Sequence, residues 1–207
     1  MNQSFLIYFK KRRRKPVSMK QTGFTLIELM IAMCLSLLVI APVVSLFVHL
    51  GRSYTTQEAA AGVQQDVRAA IDFMLHDLRM AGLDPLGSAD TGIEIADILK
   101  IRVTSDRNLN GTIDEADDES VTYSYDSGNN RLNQILYEDS GNEDIRILME
   151  DVTDLTFAYL DVNSAATATL ADIRSIEIVM TVQGSAGRDQ TITRTYTTRV
   201  ACRNMAL

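Results

Sequence analysis

Side chains that build most catalytic and metal sites are scarce in this sequence. It has two histidines, His49 and His76, two cysteines, Cys34 and Cys202, and no tryptophan. The histidines lie far apart with no cysteine near either one, which disfavours a zinc site, and two cysteines are too few for a disulfide framework. The sequence contains no nucleophile elbow, phosphate-binding loop or Cys–His pairing. We therefore do not expect an enzyme.

Basic residues are also scarce once the first part of the chain is set aside. Seven of the 20 Lys and Arg residues lie in residues 1–23, which contain no Asp or Glu, so the rest of the chain has 13 basic residues against 27 acidic ones. The resulting net charge of −14 disfavours nucleic-acid binding, which depends mainly on Lys and Arg contacts to phosphates. An acidic surface suits an exported domain that recruits cations.

One segment, by contrast, is long and apolar. Leu29–Val48 is twenty residues without a charge, about the length that a helix needs to cross the hydrocarbon core of a membrane. The basic residues lie before it, which predicts a membrane anchor whose basic side faces the cytoplasm. No small-x-small cleavage site follows the apolar run; the small residue Gly23 precedes it instead. Glu28 lies inside its edge, where an unpaired carboxylate is costly and therefore indicates a function.

The residues Gly23-Phe24-Thr25-Leu26-Ile27-Glu28-Leu29 resemble the cleavage and methylation site of type IV prepilins and type II secretion pseudopilins. The resemblance implies a cut after Gly23 by a membrane prepilin peptidase and N-methylation of the new amino group on Phe24. It also implies that Glu28 pairs with the terminal amine of a neighbouring subunit during assembly. Met19–Gly23 would be a complete short leader, so translation starting at Met19 is an alternative to Met1. A plain membrane anchor with a chance glutamate is the alternative to the whole interpretation.

Helical periodicity continues beyond the apolar run. An apolar stripe at three- and four-residue spacing consists of Val63, Val67, Ile71, Met74, Leu75 and Leu78. Gly82 and Pro85 predict the end of this helix, and Pro42 is a site where it could kink. We expect residues 1–23 to be a cleaved leader, 24–50 a transmembrane and assembly helix, and 51–84 its amphipathic continuation. Asp77-Leu78-Arg79-Met80-Ala81-Gly82 also resembles the PilW group of minor pilins, which are similar to J-type pseudopilins.

The pattern of residues 85–207 changes to that of strands, rich in Thr, Val, Ile and Tyr. The predicted strands are Ile93–Val103, Ser120–Tyr125, Arg131–Glu138, Ile145–Met149, Val152–Asp161, Ile173–Gln183 and Gln190–Arg203. Hairpin turns are predicted at 126–130 and 184–187. We therefore expect an α+β, pilin-like fold in which a mostly antiparallel sheet buries its apolar face on the second half of the helix.

Residues 106–117 follow the pattern of an EF-hand calcium loop almost position for position. Oxygen-bearing side chains occupy the ligand positions 1, 3, 5, 9 and 12, and the seventh residue would offer its carbonyl: Asp106, Asn108, Asn110, Asp114, Asp117 and Thr112. Gly111 occupies the sixth position, where the backbone must turn sharply. Asp117 replaces the usual bidentate Glu, and strands flank the loop, so we predict a weak Ca²⁺ loop rather than an EF-hand domain. A solvated acidic hairpin loop is the alternative.

These features predict a minor pilin, a low-abundance subunit that primes, caps or joins a type IV pilus. A pseudopilin of a type II secretion system is the alternative, and a membrane-anchored calcium-dependent adhesin is an alternative of another class. The expected partners are prepilin peptidase, other minor and major pilins and the inner membrane, with no nucleic acid. The β-rich globular head, residues 85–207, would be periplasmic before assembly and lie in the pilus or at the cell surface afterwards.

Overall fold

The structure, a computed structural model, describes residues 23–114, 117–185 and 191–206. All but Gly23 of the predicted leader lies outside the described residues. The chain forms two compact units, Met1–His49 and Leu50–Leu207. Helix α1 (Leu26–Met80) supplies the described secondary structure of the first unit and enters the second.

The first unit carries the apolar part of α1. Its large side chains are exposed, and α1 is long and apolar enough to cross a membrane. Pro42, the predicted kink site, lies inside the helix, as do Gly51 and Gly62, so the chain stays helical at all three residues. A proline removes one backbone donor, and the turns on either side keep the helical conformation here.

In the second unit, α1 buries the predicted apolar stripe. Val67, Met74 and Leu78 are fully buried, and α1 ends at Met80. Gly82 follows with a φ of 79°, and its N–H donates to the carbonyl of Thr104 at 3.0 Å. Because a left-handed residue after the last turn redirects the chain, the predicted helix end is confirmed.

The head consists of two antiparallel sheets. The first has the order β1-β2-β3-β4-β5 and the second the order β6-β7-β8. The strands are β1 (Ile93–Ala96), β2 (Lys100–Thr104), β3 (Ser120–Asp126), β4 (Arg131–Leu136), β5 (Asp144–Met149), β6 (Val152–Leu160), β7 (Ser175–Ser185) and β8 (Thr191–Ala201). The core joins the buried face of α1 to the apolar faces of the strands. The predicted α+β fold is confirmed.

One predicted strand is wrong. The run Ile93–Val103 is a hairpin in which Asp97–Lys100 forms the turn between β1 and β2. No glycine or proline marks this turn, and Ile98 is 62% exposed. Distant residues hold it: Phe157 donates its N–H to the carbonyl of Ile98 at 2.8 Å, and the Tyr159 hydroxyl donates to the carbonyl of Asp97 at 2.7 Å. Tertiary contacts therefore override a strand-forming sequence.

The two predicted hairpin turns have different outcomes. The turn at 126–130 joins β3 to β4, and the Asp126 carboxylate accepts the N–H of Gly128 at 3.0 Å and of Asn129 at 3.1 Å. At the second turn, Gly184 and Ser185 are still part of β7, and the remaining residues lie outside the described ones.

Candidate functional site

The start of α1 contains a capping box built from Thr25 and Glu28. The N–H and the hydroxyl of Thr25 both donate to Glu28 Oε2 at 2.8 Å, and the Glu28 N–H donates to Thr25 Oγ1 at 3.3 Å. Such reciprocal bonds satisfy backbone donors that have no partner within the helix. Glu28 therefore has a local structural role that the sequence analysis missed, although the Thr-x-x-Glu spacing signals it.

Gly23 and Phe24 lie before α1, and both are exposed. A Cβ added to Gly23 would meet no atom within 4 Å, and the Phe24 side chain is 89% exposed. The described chain thus places no steric block around the predicted cleavage site.

The loop at 106–117 lies between β2 and β3 and is organised around Asp106. This carboxylate is fully buried and accepts the N–H of Asn110 at 3.1 Å and of Gly111 at 2.9 Å. Gly111 has a φ of 82°, and a Cβ there would lie 2.2 Å from Ser88 Oγ. Only glycine therefore fits the sixth loop position, as the calcium-loop pattern requires.

The side-chain amides of two asparagines donate hydrogen bonds to the other two predicted carboxylate ligands. The Asn108 amide donates to Asp114 at 3.2 Å and to Asp117 at 2.8 Å, and the Asn110 amide also donates to Asp114. Hydrogen bonds from Asn110, then from Asn108, lower the pKa of Asp114 below its usual value. The amide N–H groups occupy the direction from which a cation would approach these carboxylates.

Thr112, the predicted carbonyl ligand, forms a tight local turn with Asn110. Its N–H and its hydroxyl both donate to Asn110 Oδ1 at 2.8 Å. The six predicted ligands thus share one loop, but the three carboxylates do not converge. In residues 23–114, 117–185 and 191–206, no three His, Cys, Asp or Glu side chains form a group that could hold a metal. The donors fit Ca²⁺ chemically; binding would require the two amides to turn their oxygens inward.

Glu119 is the residue that holds this loop and that the sequence analysis missed. Its fully buried carboxylate accepts the N–H of Arg107 at 2.7 Å, of Asn108 at 3.0 Å and of Asp114 at 2.7 Å. Buried carboxylates require such partners because an unsatisfied buried charge is costly. Glu119 lies just beyond the twelve-residue motif, in an acidic run where nothing in the sequence distinguishes it.

A buried ion pair connects the loop to α1. Asp77, with a side chain 5% exposed, accepts a hydrogen bond from Arg107 at 2.8 Å and another from the Tyr123 hydroxyl at 2.6 Å. Burial, and then the charge of Asp77, raises the pKa of Tyr123, so the hydroxyl remains a donor. His76, the other titratable neighbour, lies 3.2 Å from Asp77 on an exposed side chain. Asp77 is the first residue of the segment that resembles the PilW group, and its role here is structural.

Comparisons with known proteins agree with this architecture. Residues 56–202 match the family described as prepilin peptidase-dependent protein B, and residues 18–44 match the prokaryotic N-terminal methylation motif. The chain belongs to the prepilin peptidase-dependent protein B family. No curated protein matches it.

The resemblance to type IV pilin-like proteins is thereby confirmed, whereas the PilW type stays a prediction. In this member of the prepilin peptidase-dependent protein B family, the methylation match contains Gly23, Phe24 and Glu28. The second match contains both the Asp77 network and the loop. The apolar helix and the motif together indicate membrane anchoring.

Proposed function

We propose that this protein is a minor pilin, a low-abundance structural subunit that primes, caps or joins a type IV pilus. The observation that carries the proposal is that one chain matches both the methylation motif over 18–44 and the prepilin peptidase-dependent protein B family over 56–202. Pilin or pseudopilin class follows from these matches; the minor-pilin role is the proposed refinement. Its work would be assembly and surface contact rather than catalysis.

The proposed life cycle begins at the inner membrane. Prepilin peptidase would cut after Gly23, Phe24 would be methylated, and the head would stay in the periplasm until assembly. Support comes from the open surroundings of Gly23 and from an apolar helix of sufficient length for a membrane anchor. Other minor pilins and the major pilin would then be its neighbours in the filament.

Glu28 would provide the charge that fixes the subunit against its neighbour. Burial of a carboxylate in a membrane is costly unless the charge is paired, and the amine created at Phe24 of an adjacent subunit is a suitable cation. The capping box with Thr25 is a competing explanation for the same side chain, because a glutamate is favourable at this helix position without any partner.

Two substitutions separate these explanations. Glu28→Gln keeps an oxygen that can accept from Thr25 but loses the charge, whereas Glu28→Ala loses both. We expect both variants to be cleaved and inserted and both to be absent from sheared filaments, measured by immunoblotting. Normal incorporation of Glu28→Gln would show that capping, not charge pairing, is what Glu28 supplies.

The experiment that tests the proposed function is a deletion of the gene, with piliation and type II secretion measured in the same strain. A minor pilin predicts fewer filaments with unchanged secretion in the deletion strain, and recovery of the protein in the sheared filament fraction of the parent strain. Loss of secretion with normal piliation would favour the pseudopilin alternative instead. Absence from every filament fraction, with normal piliation and secretion, would favour an adhesin that keeps a pilin-like anchor.

We further propose that the loop binds Ca²⁺ weakly, through Asp106, Asn108, Asn110, Asp114 and Asp117 side chains and the carbonyl of Thr112. The tight fit of Gly111 and the oxygen-rich donor set support this proposal. Occupancy would stiffen a surface loop that the buried Arg107–Asp77 pair connects to α1. In a minor pilin, this loop would contribute to contact with neighbouring subunits or with a surface.

A further inference from the structure

The edges of the two sheets differ in how they are covered. The outer side of β6 is tied to loops, through Phe157 N–H to the carbonyl of Ile98 at 2.8 Å and Thr167 N–H to the carbonyl of Tyr159 at 3.0 Å. Strand β1 has only four residues and an irregular register. Strands β5 and β8 each pair with one neighbour in the described part of the chain, and the register of β5 shifts once, opposite Leu132 and Asn133. Their backbones make no hydrogen bond there outside their sheet.

Strand β8 lacks two of the features that protect an edge, a bulge and a proline. Its eleven residues pair with β7 without a register shift, so no bulge twists the edge away, and it contains no proline. Every second residue of an outer strand directs its N–H and C=O away from the sheet. Residues 191–206 contain three arginines and no acidic residue, in a chain that is otherwise acidic. This edge is therefore long, regular and basic.

Strand β5 forms one wall of a groove against α1. The groove has a volume of about 450 Å³ and is lined by apolar and small side chains with an acidic rim. Its floor and walls are Ala69, Ala70, Phe73, Leu148 and Met149, and its rim is Asp66, Glu150 and Asp151. Glu150 pairs with Arg131 at 2.9 Å, whereas Asp66 and Asp151 form no ion pair with any described residue. Phe73 is 48% exposed, so the groove offers apolar surface beside two unpaired carboxylates.

A groove of complementary chemistry borders β8. Its lining consists of Gln57, Ala60, Ala61, Gln64, Arg194 and Tyr196, so one face of β8 points toward α1. Arg194 forms no ion pair with a described residue. The β8 edge thus presents a free cation beside the half-buried Tyr196, which packs against the core of its own chain, and the β5 edge presents an apolar groove and free carboxylates.

We propose that β8 of one copy pairs with β5 of a second copy, so that Arg194 approaches Asp66 and Asp151 at the rim of the groove. Main-chain hydrogen bonds would supply the attraction, and the side chains would select the partner edge. Because the two surfaces differ, the contact is head to tail and adds further copies in one direction rather than closing a two-fold dimer. This contact does not depend on the proposed role in a pilus.

Cysteine cross-linking in the full chain tests the strand pairing. In a Cys34→Ala background, with the buried Cys202 kept, one copy carries Arg146→Cys on β5. A second copy, with a tag of different mass, carries one cysteine on β8. The first set of positions is Arg194, Tyr196 and Thr198, and the second set is Thr193, Thr195 and Thr197. Opposed residues on neighbouring antiparallel strands have Cα atoms about 4.5–5.5 Å apart, within the range of a disulfide.

Arg146 lies opposite the buried Gln134, on the face that the first set of β8 positions shares. We expect oxidation of the detergent-solubilised mixture to give mixed disulfide dimers with the first set and loss of them with the second, a period of two residues. Equal cross-linking of both sets, preferential β5–β5 or β8–β8 products, or no dimer at all would each overturn the proposal.

Exchanging the charged residues of the two edges then tests whether β8 pairs with β5. Arg194→Asp alone, or Asp66→Arg with Asp151→Arg, should reduce dimer yield up to about fivefold, the range of an exposed ion pair. The chain with all three changes should recover, because the charges are exchanged rather than lost. Asp172→Arg, at an exposed acidic residue that belongs to neither edge strand, is the control and should leave the yield unchanged. Failure of the triple variant to recover would refute the proposed charge contacts.

Discussion

The start of α1 and the loop at 106–117 were both predicted from short motifs, but the structure holds them in opposite ways. At the helix start, the side chains of Thr25 and Glu28 make local hydrogen bonds between residues three apart. The loop is fixed from outside its own motif, by Glu119 and by an ion pair from Arg107 to Asp77, thirty residues away. A helix start can therefore be specified locally, whereas this loop depends on the folded head.

This difference has a consequence for mutation. Changes at the helix start should alter processing and assembly without altering the stability of the head. Changes to the residues that hold the loop should destabilise the head without altering processing.

The largest effect is expected from Gly23→Leu. The structure leaves open space around Gly23, so the substitution should fold normally and act on cleavage alone. We expect complete loss of the cut after residue 23, with the uncut chain still in the membrane fraction, seen as a mass shift of the intact protein. Gly51→Leu is the matched control, since a Cβ at that glycine also meets no atom. Normal cleavage of Gly23→Leu would remove the basis of the proposed processing.

The next largest effect, on the free energy of unfolding of the head, is expected from Asp77→Ala. This change leaves Arg107 and the buried Tyr123 without their acceptor, and removal of one partner of a buried ion pair costs about 3–5 kcal/mol. Asp72→Ala, at an exposed position of the same helix, should cost less than about 0.5 kcal/mol.

Cys202 can report this destabilisation in a Cys34→Ala chain. Its thiol is 2% exposed, and burial raises its pKa to about 11, so alkylation at neutral pH requires opening of the head. The Asp77→Ala chain should be alkylated much faster than the Asp72→Ala chain, while both are still cleaved after Gly23. Equal alkylation rates would show that the buried pair contributes little to stability.

Elements that are fixed by residues nearby in the sequence could be predicted, and elements that are fixed by distant residues could not. The end of α1 at Met80 and the hairpin turn at 126–130 were predicted because glycines and side-chain acceptors mark them locally. The turn at Asp97–Lys100 was missed because Phe157 and Tyr159 hold it from another sheet. The division of the strands into two sheets was also not predicted, because periodicity gives the face of a strand but not its neighbours.

The same limit on sequence-based prediction applies to the loop at 106–117. Its ligand-type residues and the requirement for Gly111 were visible as a motif, since a calcium loop fixes their spacing. Glu119 was not, because an acidic residue two positions beyond the motif has no feature of its own until folding buries it. The Arg107–Asp77 pair joins residues on different elements, which sequence spacing alone does not bring together.

A smaller effect is expected from Glu119→Gln. The amide has one oxygen where the carboxylate has two, so at least one of the three N–H donors, on Arg107, Asn108 or Asp114, loses its acceptor. We expect a cost of about 2–3 kcal/mol in unfolding free energy, because charged acceptors make the stronger hydrogen bonds. Hydrogen exchange should rise at these three amides and stay unchanged at β7. Glu177→Gln on β7 is the control; unchanged exchange in the loop would contradict the organising role of Glu119.

The smallest effect is expected from Ca²⁺. A site with a Kd on the order of 10⁻⁴ M would stabilise the folded head by about 1–2 kcal/mol in millimolar calcium, by mass action. The full chain in detergent should therefore melt higher in calcium than in chelator, and magnesium should substitute poorly because it prefers a tighter octahedron. Asp106→Ala should erase the difference but would also remove the acceptor of the Asn110 and Gly111 N–H groups. Asp117→Asn is the sharper variant, since this side chain is exposed and its neighbour Asp118, changed to Asn, serves as control. Identical melting in calcium and chelator would identify the loop as an acidic turn that Asn108 and Asn110 satisfy without a metal.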